Sequence, residues 1–161
     1  MSGTAKYSAE NLIPMFLKAA ALRDEMLALG FTDNGGAIHS AERILDILGQ
    51  RLKYPGLSHI NNYKKYPNAE FSVNAKRAFE NGERVLIEHV SPIRDFTRKA
   101  IKLVENRSGE KANVEIKLQC FVKENYRLVL LTPGETETLN SINRSKMKDG
   151  RLVEAGIVIA V

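Results

Sequence analysis

The first half of the chain carries two stretches in which apolar residues recur every three or four positions. The first stretch begins after Ser8 and stops at Gly30, and the second ends near Leu52, just before Pro55-Gly56. Apolar residues at this spacing share one face of a helix, while serine and glycine favour the positions where helices begin and end. A glycine-rich turn, residues 32–36, separates the two stretches. The pattern therefore predicts two amphipathic helices joined as an antiparallel hairpin.

Residues 53–70 are polar and aromatic, and their prolines and glycine oppose regular structure, so we expect a loop. Tyr63 and Tyr66 lie close to Lys64 and Lys65 in this segment. Tyrosines interleaved with lysines can stack on bases and hold phosphates. The alternative, which we favour, is that the tyrosines anchor a surface loop to the body of the protein.

Two runs in the second half are rich in branched apolar residues, which favour extended backbone. They cover residues 84–90 and 126–131, and each is predicted to form a strand. The apolar positions of residues 111–122 fit a helix or a strand equally well. The tail, residues 155–161, is expected to form a last strand or a buried extension.

Helix starts follow both predicted strands. Ser91-Pro92 combines an N-cap residue with a proline suited to the first turn, and Thr132 forms a capping box with Glu135. Ser72 is expected to cap a further short helix that extends to about Phe79. The second half therefore mixes helices with strands.

The length and apolar content bound the architecture. A chain of 161 residues with 43% hydrophobic residues is enough for one sizeable core. We expect a single α+β domain over residues 1–161. Its first part, residues 1–70, would be the helical hairpin and the polar loop, and residues 71–161 would form a strand–strand–helix half.

Charge and cysteine content narrow the setting. Lysine and arginine outnumber aspartate and glutamate by 24 to 19, and the resulting net charge of +5 favours a polyanionic partner such as nucleic acid. Cys120 is the only cysteine, so an internal disulfide is excluded. The first residues lack the features of a secretory signal, and no apolar run approaches the length of a membrane span. We expect a cytoplasmic protein without a membrane partner.

Several common chemistries lack their motifs. The sequence contains no phosphate-binding Gly-x-x-x-x-Gly-Lys or Gly-x-Gly-x-x-Gly loop, no Cys-x-x-Cys pair and no Gly-x-Ser-x-Gly elbow. Nucleotide cofactors, structural zinc and serine hydrolase chemistry therefore have no support in the sequence. By contrast, Glu88 and His89 are adjacent polar residues at the end of an otherwise apolar strand, an awkward place for purely structural groups.

The two strand ends resemble the HNH (ββα-metal) nucleases, notably the colicin-type DNases. The matching segments are Glu88-His89-Val90-Ser91-Pro92-Ile93, together with residues 126–131 and the following Thr132-Pro133. The resemblance implies a ββα-metal-like arrangement in residues 71–161 and hydrolysis of phosphodiester bonds. It implies that Glu88 binds a divalent metal ion, and that His89 is the general base that activates water.

The resemblance also places further metal ligands on the helix after the second strand. Asn140 would contribute its carbonyl oxygen, and Glu135 or Glu137 would contribute a carboxylate. Thr136 stands where the colicin-type pattern usually has a histidine. The expected ion is magnesium, with manganese, nickel or zinc as alternatives, and the expected substrate is DNA rather than RNA. Basic residues expected to hold phosphate are Arg84, Arg94, Lys99, Lys64 and Lys65.

Two alternatives stand beside an active HNH endonuclease. Thr136 favours a catalytically inactive protein that keeps the scaffold and binds nucleic acid or inhibits another protein. The third hypothesis is a protein-interaction module, in which the N-terminal hairpin presents the binding face. Each of these would suit a phage, plasmid or defence setting, as the resemblance implies. Salt dependence separates them, because phosphate contacts weaken steeply as salt is added.

Overall fold

The computed structural model describes residues 7–33, 35–105 and 111–161, with the backbone alone for Lys111 and Ala112. The expectation about a signal at residues 1–6, and Asn34 of the predicted turn, lie outside the described residues. In chain order the elements are α1 (Ala9–Ala28), α2 (Ala37–Lys53), a short 3-10 helix (Ile60–Lys65), α3 (Val73–Glu80), β1 (Leu86–His89), α4 (Ile93–Glu105), α5 (Lys111–Asn125), β2 (Leu128–Leu131), α6 (Pro133–Asn143) and α7 (Arg151–Glu154).

The two predicted N-terminal helices are confirmed. Ser8 caps α1 by accepting a hydrogen bond from the N–H of Asn11, and α1 ends two residues before Gly30. Helix α2 extends to Lys53, one residue beyond the predicted end, and packs against α1. The caps lie where the side chains predicted them because these signals act within one turn of the helix.

The chain forms two compact units, which divide it differently from the boundary expected at residue 70. Unit 1 comprises residues 1–56 and 96–125, and unit 2 comprises residues 57–95 and 126–161. Residues 111–122, ambiguous in the sequence, belong to helix α5. This helix contacts α2, and Phe121 on it stacks on Phe96 at a centroid distance of 5.2 Å. Helices α4, from Phe96 onward, and α5 therefore belong to the same compact unit as the helical hairpin, although the strands that flank them in sequence belong to unit 2.

Unit 2 contains the sheet. Strands β1 and β2 pair antiparallel, as the two predicted strands allowed, and the register places Glu88 opposite Val129 and His89 opposite Leu128. In the tail, Ile159 forms an isolated antiparallel bridge to Ser72, and Ile157 is buried, whereas Val158 and Val161 are exposed; the tail is neither a regular strand nor buried throughout. The sequence did not predict the single-turn helix α7 or the 3-10 helix inside the expected loop. The fold mixes helices and strands in the α+β manner.

Side chains alternate between the two faces of a strand, and directly paired residues point to the same face. Glu88 and Val129 therefore share one side of the sheet, here named the Glu88 face. His89 and Leu128 share the other, here named the His89 face. The Glu88 face carries a buried apolar cluster, whose residues come from β2, α6, α7 and the tail. Its buried members are Val129, Leu131, Leu139, Leu152 and Ile157.

Within the described ranges, no helix offers an apolar stretch long enough to cross a lipid bilayer.

Candidate functional site

Glu88 and His89, the two residues that the resemblance assigns to one catalytic site, lie on opposite faces of the sheet. Both belong to β1, and their partners in β2 are the neighbours Val129 and Leu128. Because the side-chain period of a strand is two, consecutive residues meet different surroundings. The predicted metal ligand and the predicted general base therefore meet different surroundings.

On the Glu88 face, the carboxylate of Glu88 pairs with Arg151. The Arg151 Nη2 atom lies 3.4 Å from Glu88 Oε1, and the Arg151 side chain is completely buried (0% exposed). A buried cation is stable only where a counter-charge and hydrogen-bond acceptors surround it. Glu88 supplies the counter-charge, so its carboxylate is committed to an ion pair inside the protein.

Main-chain carbonyl groups supply the remaining acceptors of the Arg151 guanidinium. Its Nη1 atom donates to the carbonyl oxygens of His89 and Val90 at 3.1 and 3.2 Å. Its Nε donates to Asn143 at 3.0 Å, and Nη2 to Arg144 at 3.5 Å, at the C-terminal end of α6. Carbonyls at a helix end have no partner within the helix and attract positive charge. Arg151 therefore joins the end of β1 to the end of α6.

On the His89 face, the structure leaves a shallow cavity of about 430 Å³. Its polar lining consists of Asn61, Lys64 and His89. Its other lining residues are apolar and come from the 3-10 helix, from β1 and the residue before it, and from β2. The His89 ring also meets the Tyr126 ring edge-on, with a centroid distance of 5.7 Å and an interplanar angle of 81°. His89 is thus held by an aromatic contact while it borders an accessible cavity.

Tyr63 fixes the 3-10 helix beside this cavity. Its side chain is fully buried, and its hydroxyl donates to the carbonyl oxygen of Leu128 at 2.9 Å. The same hydroxyl accepts a hydrogen bond from the N–H of Glu70 at 3.0 Å. Tyr66 lies alongside, with ring centroids 6.3 Å apart. For Tyr63, the interpretation that tyrosines anchor this segment to the body is confirmed.

Glu135, a predicted metal ligand, is engaged in the capping box that the sequence indicated. Its Oε1 accepts from the N–H of Thr132 at 3.0 Å and from the Ser72 hydroxyl at 2.5 Å. Its Oε2 lies 3.4 Å from the Nδ2 atom of Asn74. These three hydrogen bonds tie the start of α6 to the start of α3, so the carboxylate is committed to joining two helices.

The other α6 positions differ in exposure. Asn140 and Glu137 are exposed on the helix, whereas Thr136 is half-buried. The Thr136 hydroxyl oxygen is itself buried and has no hydrogen-bond partner among the described residues. Leu139, three residues further along the same side of α6, is fully buried in the cluster on the Glu88 face. Thr136 thus lies on the side of α6 that faces that cluster.

These contacts bear on whether a divalent cation would fit. The HNH resemblance calls for a carboxylate at Glu88 and helix ligands that face it, but Glu88 is paired with Arg151 and Glu135 with helix starts. Within the described ranges, no group of three or more histidine, cysteine, aspartate or glutamate side chains is placed to hold a metal ion. As placed, the resembling residues do not form a ligand set for the ion.

The predicted phosphate-binding residues fall in several places. Lys64 and Lys65 are exposed on the 3-10 helix, and Lys64 lines the cavity together with His89. Arg84 is exposed just before β1, and Arg94 is half-buried in the first turn of α4. Lys99 is exposed on the part of α4 that belongs to unit 1. The structure therefore brings one predicted phosphate ligand, Lys64, to the predicted base.

Unit 1 has a separate cluster of charged groups. Asp33 accepts from Arg23 at 2.6 and 3.0 Å and from Arg98 at 3.0 Å. The hydrogen bond from Arg23 lowers the pKa of Asp33 and raises the pKa of the Arg23 guanidinium. A hydrogen bond with Asp24 raises the pKa of Glu105, and both line a cavity of about 590 Å³. These groups are mutually paired, and sequence analysis singled out none of them.

Arg151 was also missed by the sequence analysis. It lies 63 residues from Glu88 and follows Asp149-Gly150, a segment that signals only a turn. Gly150 adopts a left-handed conformation with φ of 72°, which suits glycine, and α7 starts immediately after it. Nothing local marks an arginine as buried, because its acceptors come from β1 and α6.

Comparison of the chain with known protein families, with curated proteins and with solved structures gave no significant match.

Proposed function

We propose that this chain is a nucleic-acid-binding protein built on an HNH-like ββα scaffold, and that it does not hydrolyse phosphodiester bonds. The observation that carries the proposal is the buried guanidinium of Arg151, paired with Glu88. The resemblance to HNH nucleases assigns a divalent cation to that carboxylate. In this protein a side chain of the same chain supplies the positive charge there.

The scaffold part of the proposal rests on the order and contacts of three elements. Strands β1 and β2 pair antiparallel, and α6, which directly follows β2, contacts both. These contacts support a scaffold of two antiparallel strands and a following helix, although α4 and α5 lie between β1 and β2 in sequence. The two carboxylates that would bind the metal ion have structural partners instead. Glu88 pairs with Arg151, and Glu135 accepts a hydrogen bond from Ser72.

Displacing Arg151 with a metal ion would carry a high cost. The ion would have to expel a fully buried guanidinium, and four main-chain carbonyls would lose their donors. An uncompensated buried charge or polar group destabilises a protein by several kcal/mol, on the order of 3–5 for a broken buried ion pair. The pair between Glu88 and Arg151 is therefore expected to persist in the presence of magnesium.

Support for nucleic acid as the partner comes from charge and from the His89 face. The chain has a net charge of +5, and Lys64, Lys65 and Arg84 are exposed in unit 2. Exposed cations of this kind contact phosphates and give a binding free energy that weakens with salt. Duplex DNA is the first ligand to try, with single-stranded DNA and RNA beside it.

The test combines binding and cleavage on the same protein preparation. Fluorescence anisotropy with labelled DNA in EDTA should show binding that weakens at least about tenfold between roughly 50 and 200 mM salt. Plasmid DNA incubated with magnesium, manganese, nickel or zinc should remain uncut. Wild-type protein, His89→Ala and the control His39→Ala, a change at an exposed histidine of α2, are compared in both assays.

Metal-dependent nicking that disappears in His89→Ala but persists in His39→Ala would overturn the proposal and establish an HNH endonuclease. If the protein binds no nucleic acid even at low salt, the nucleic-acid-binding part of the proposal is wrong, and the protein-interaction module is the surviving hypothesis.

A further inference from the structure

The cavity on the His89 face has the size of a small-molecule site. Its volume is about 430 Å³, and ligand pockets commonly measure about 300–1,000 Å³. It is formed by the 3-10 helix on one side and by the ends of β1 and β2 on the other. Tyr63 anchors the 3-10 helix to the carbonyl group of Leu128, which fixes one wall against the other. The cavity is therefore part of the folded unit and not a gap between loose segments.

The lining has two chemically different parts. Ile60, Val85 and Ile87, which are half-buried, provide apolar surface against which a flat ring can pack. Lys64, Asn61 and His89 provide the polar part. Lysine offers a positive charge with three donors, and the amide and imidazole groups offer both donors and acceptors. The ligand that matches must combine an apolar planar portion with hydrogen-bonding edges and an anionic group.

The charged groups that line the cavity favour an anionic ligand over a cationic one. None of the residues that line this cavity in the described part of the chain is an aspartate or glutamate, whereas Lys64 contributes an ammonium group. Glu88, the nearest carboxylate in sequence, points to the opposite face and is neutralised by Arg151. The charge of the lining thus favours an anionic group such as a phosphate.

From this arrangement we infer that the cavity binds one nucleoside monophosphate unit, with the base against Ile60, Val85 and Ile87 and the phosphate at Lys64 and His89. The inference rests on the proposed function, because it names the unit of nucleic acid that this face takes. Free nucleotide and the phosphorylated end of a strand share this chemistry. A base that is paired and stacked inside a duplex would not enter this cavity, so the unit must come from an unpaired nucleotide.

The experiment is a nuclear magnetic resonance titration of the uniformly ¹⁵N-labelled full chain with dTMP, dAMP, deoxyadenosine and inorganic phosphate. Amide signals of Asn61, Lys64 and Ile87 should shift with both nucleotides and shift much less with the nucleoside or phosphate alone. Lys64→Ala should weaken dTMP binding about tenfold, as expected for loss of one charge-assisted contact. Lys76→Ala, at an exposed lysine of α3 outside the cavity, is the control and should leave the affinity unchanged.

Oligonucleotides with and without a 5′-phosphate then identify the source of the unit. Tighter binding of the phosphorylated strand, lost in Lys64→Ala, assigns the cavity to strand ends, and binding of free dTMP alone assigns it to free nucleotide. Either result supports the inference. Nucleotides that shift no cavity signal, or equal affinities for Lys64→Ala and Lys76→Ala, would overturn it. If DNA still binds in that case, the proposed function survives without this cavity.

Discussion

The two faces of the β1–β2 sheet treat two neighbouring residues in opposite ways. On the Glu88 face, a carboxylate is enclosed with a completely buried arginine beside a packed apolar cluster. On the His89 face, the next residue of the same strand borders an accessible cavity with a lysine. A motif that is continuous in sequence is therefore divided by the pleat into a structural half and an accessible half. Function is expected on the accessible half.

The largest loss of stability should come from removing the buried ion pair between Arg151 and Glu88 on the Glu88 face. Arg151→Met keeps most of the side-chain length but removes the guanidinium, so Glu88 loses its ion pair and four main-chain carbonyl groups lose the hydrogen bonds that Arg151 donates. We expect the free energy of unfolding to fall by about 3–5 kcal/mol. Urea unfolding followed by circular dichroism measures the change, provided that the slope with denaturant stays constant.

Lys148→Met is the matched control, because Lys148 is also a cation in an ion pair, with Glu154 at 2.6 Å, but its side chain is 57% exposed. Exposed ion pairs contribute at most about 1 kcal/mol. If the two variants lose the same stability, burial is not what makes Arg151 important, and the contrast between the faces fails.

A smaller effect is expected at the anchor of the accessible half. Tyr63→Phe removes a buried hydroxyl that donates to Leu128 and accepts from Glu70, and leaves the ring in place. The loss should be about 1–3 kcal/mol, since the Leu128 carbonyl and the Glu70 N–H would lose the hydrogen bonds that this hydroxyl makes. Thermal or urea unfolding gives the value, and Tyr7→Phe, at an exposed tyrosine, should change it little. A Tyr63→Phe protein as stable as wild type would contradict the role of this hydroxyl.

Local signals explain which parts of this fold the sequence could predict. Ser8, Ser72 and the pair Thr132 with Glu135 each act on backbone groups within one helical turn, and all three caps are present. The strands followed from their branched residues in the same way. Period-two alternation would also have placed Glu88 and His89 on opposite faces, since both belong to the predicted strand.

Long-range contacts explain the rest. Arg151 is buried through acceptors on β1 and α6, and residues 96–125 pack with the N-terminal hairpin although two strands flank them. Such pairings join residues dozens of positions apart, and periodicity within a window of a dozen residues carries no information about them. The cavity beside His89 depends in the same way on a 3-10 helix that the prolines and polar residues of its segment did not indicate.

The smallest predicted effect is a gain in stability, caused by Thr136→Val. It tests whether the Glu88 face serves packing alone. The Thr136 hydroxyl is buried without a partner among the described residues, and the proposed HNH-like scaffold would have a histidine at this position. Thr136→Val replaces the hydroxyl with a methyl group of similar size, so unfolding should become harder by up to about 1 kcal/mol. The urea midpoint measures it.

Thr138→Val on the same helix is the control for that substitution, because the exposed Thr138 hydroxyl donates to the carbonyl of Gly134 at 3.1 Å. That variant should gain no stability, since it loses a hydrogen bond and the hydroxyl that it removes is exposed. If Thr136→Val instead lowers stability, the hydroxyl has a partner and the Glu88 face keeps a polar role. If it raises stability while DNA binding is unchanged, the site of the usual histidine serves packing alone, and binding is left to the His89 face.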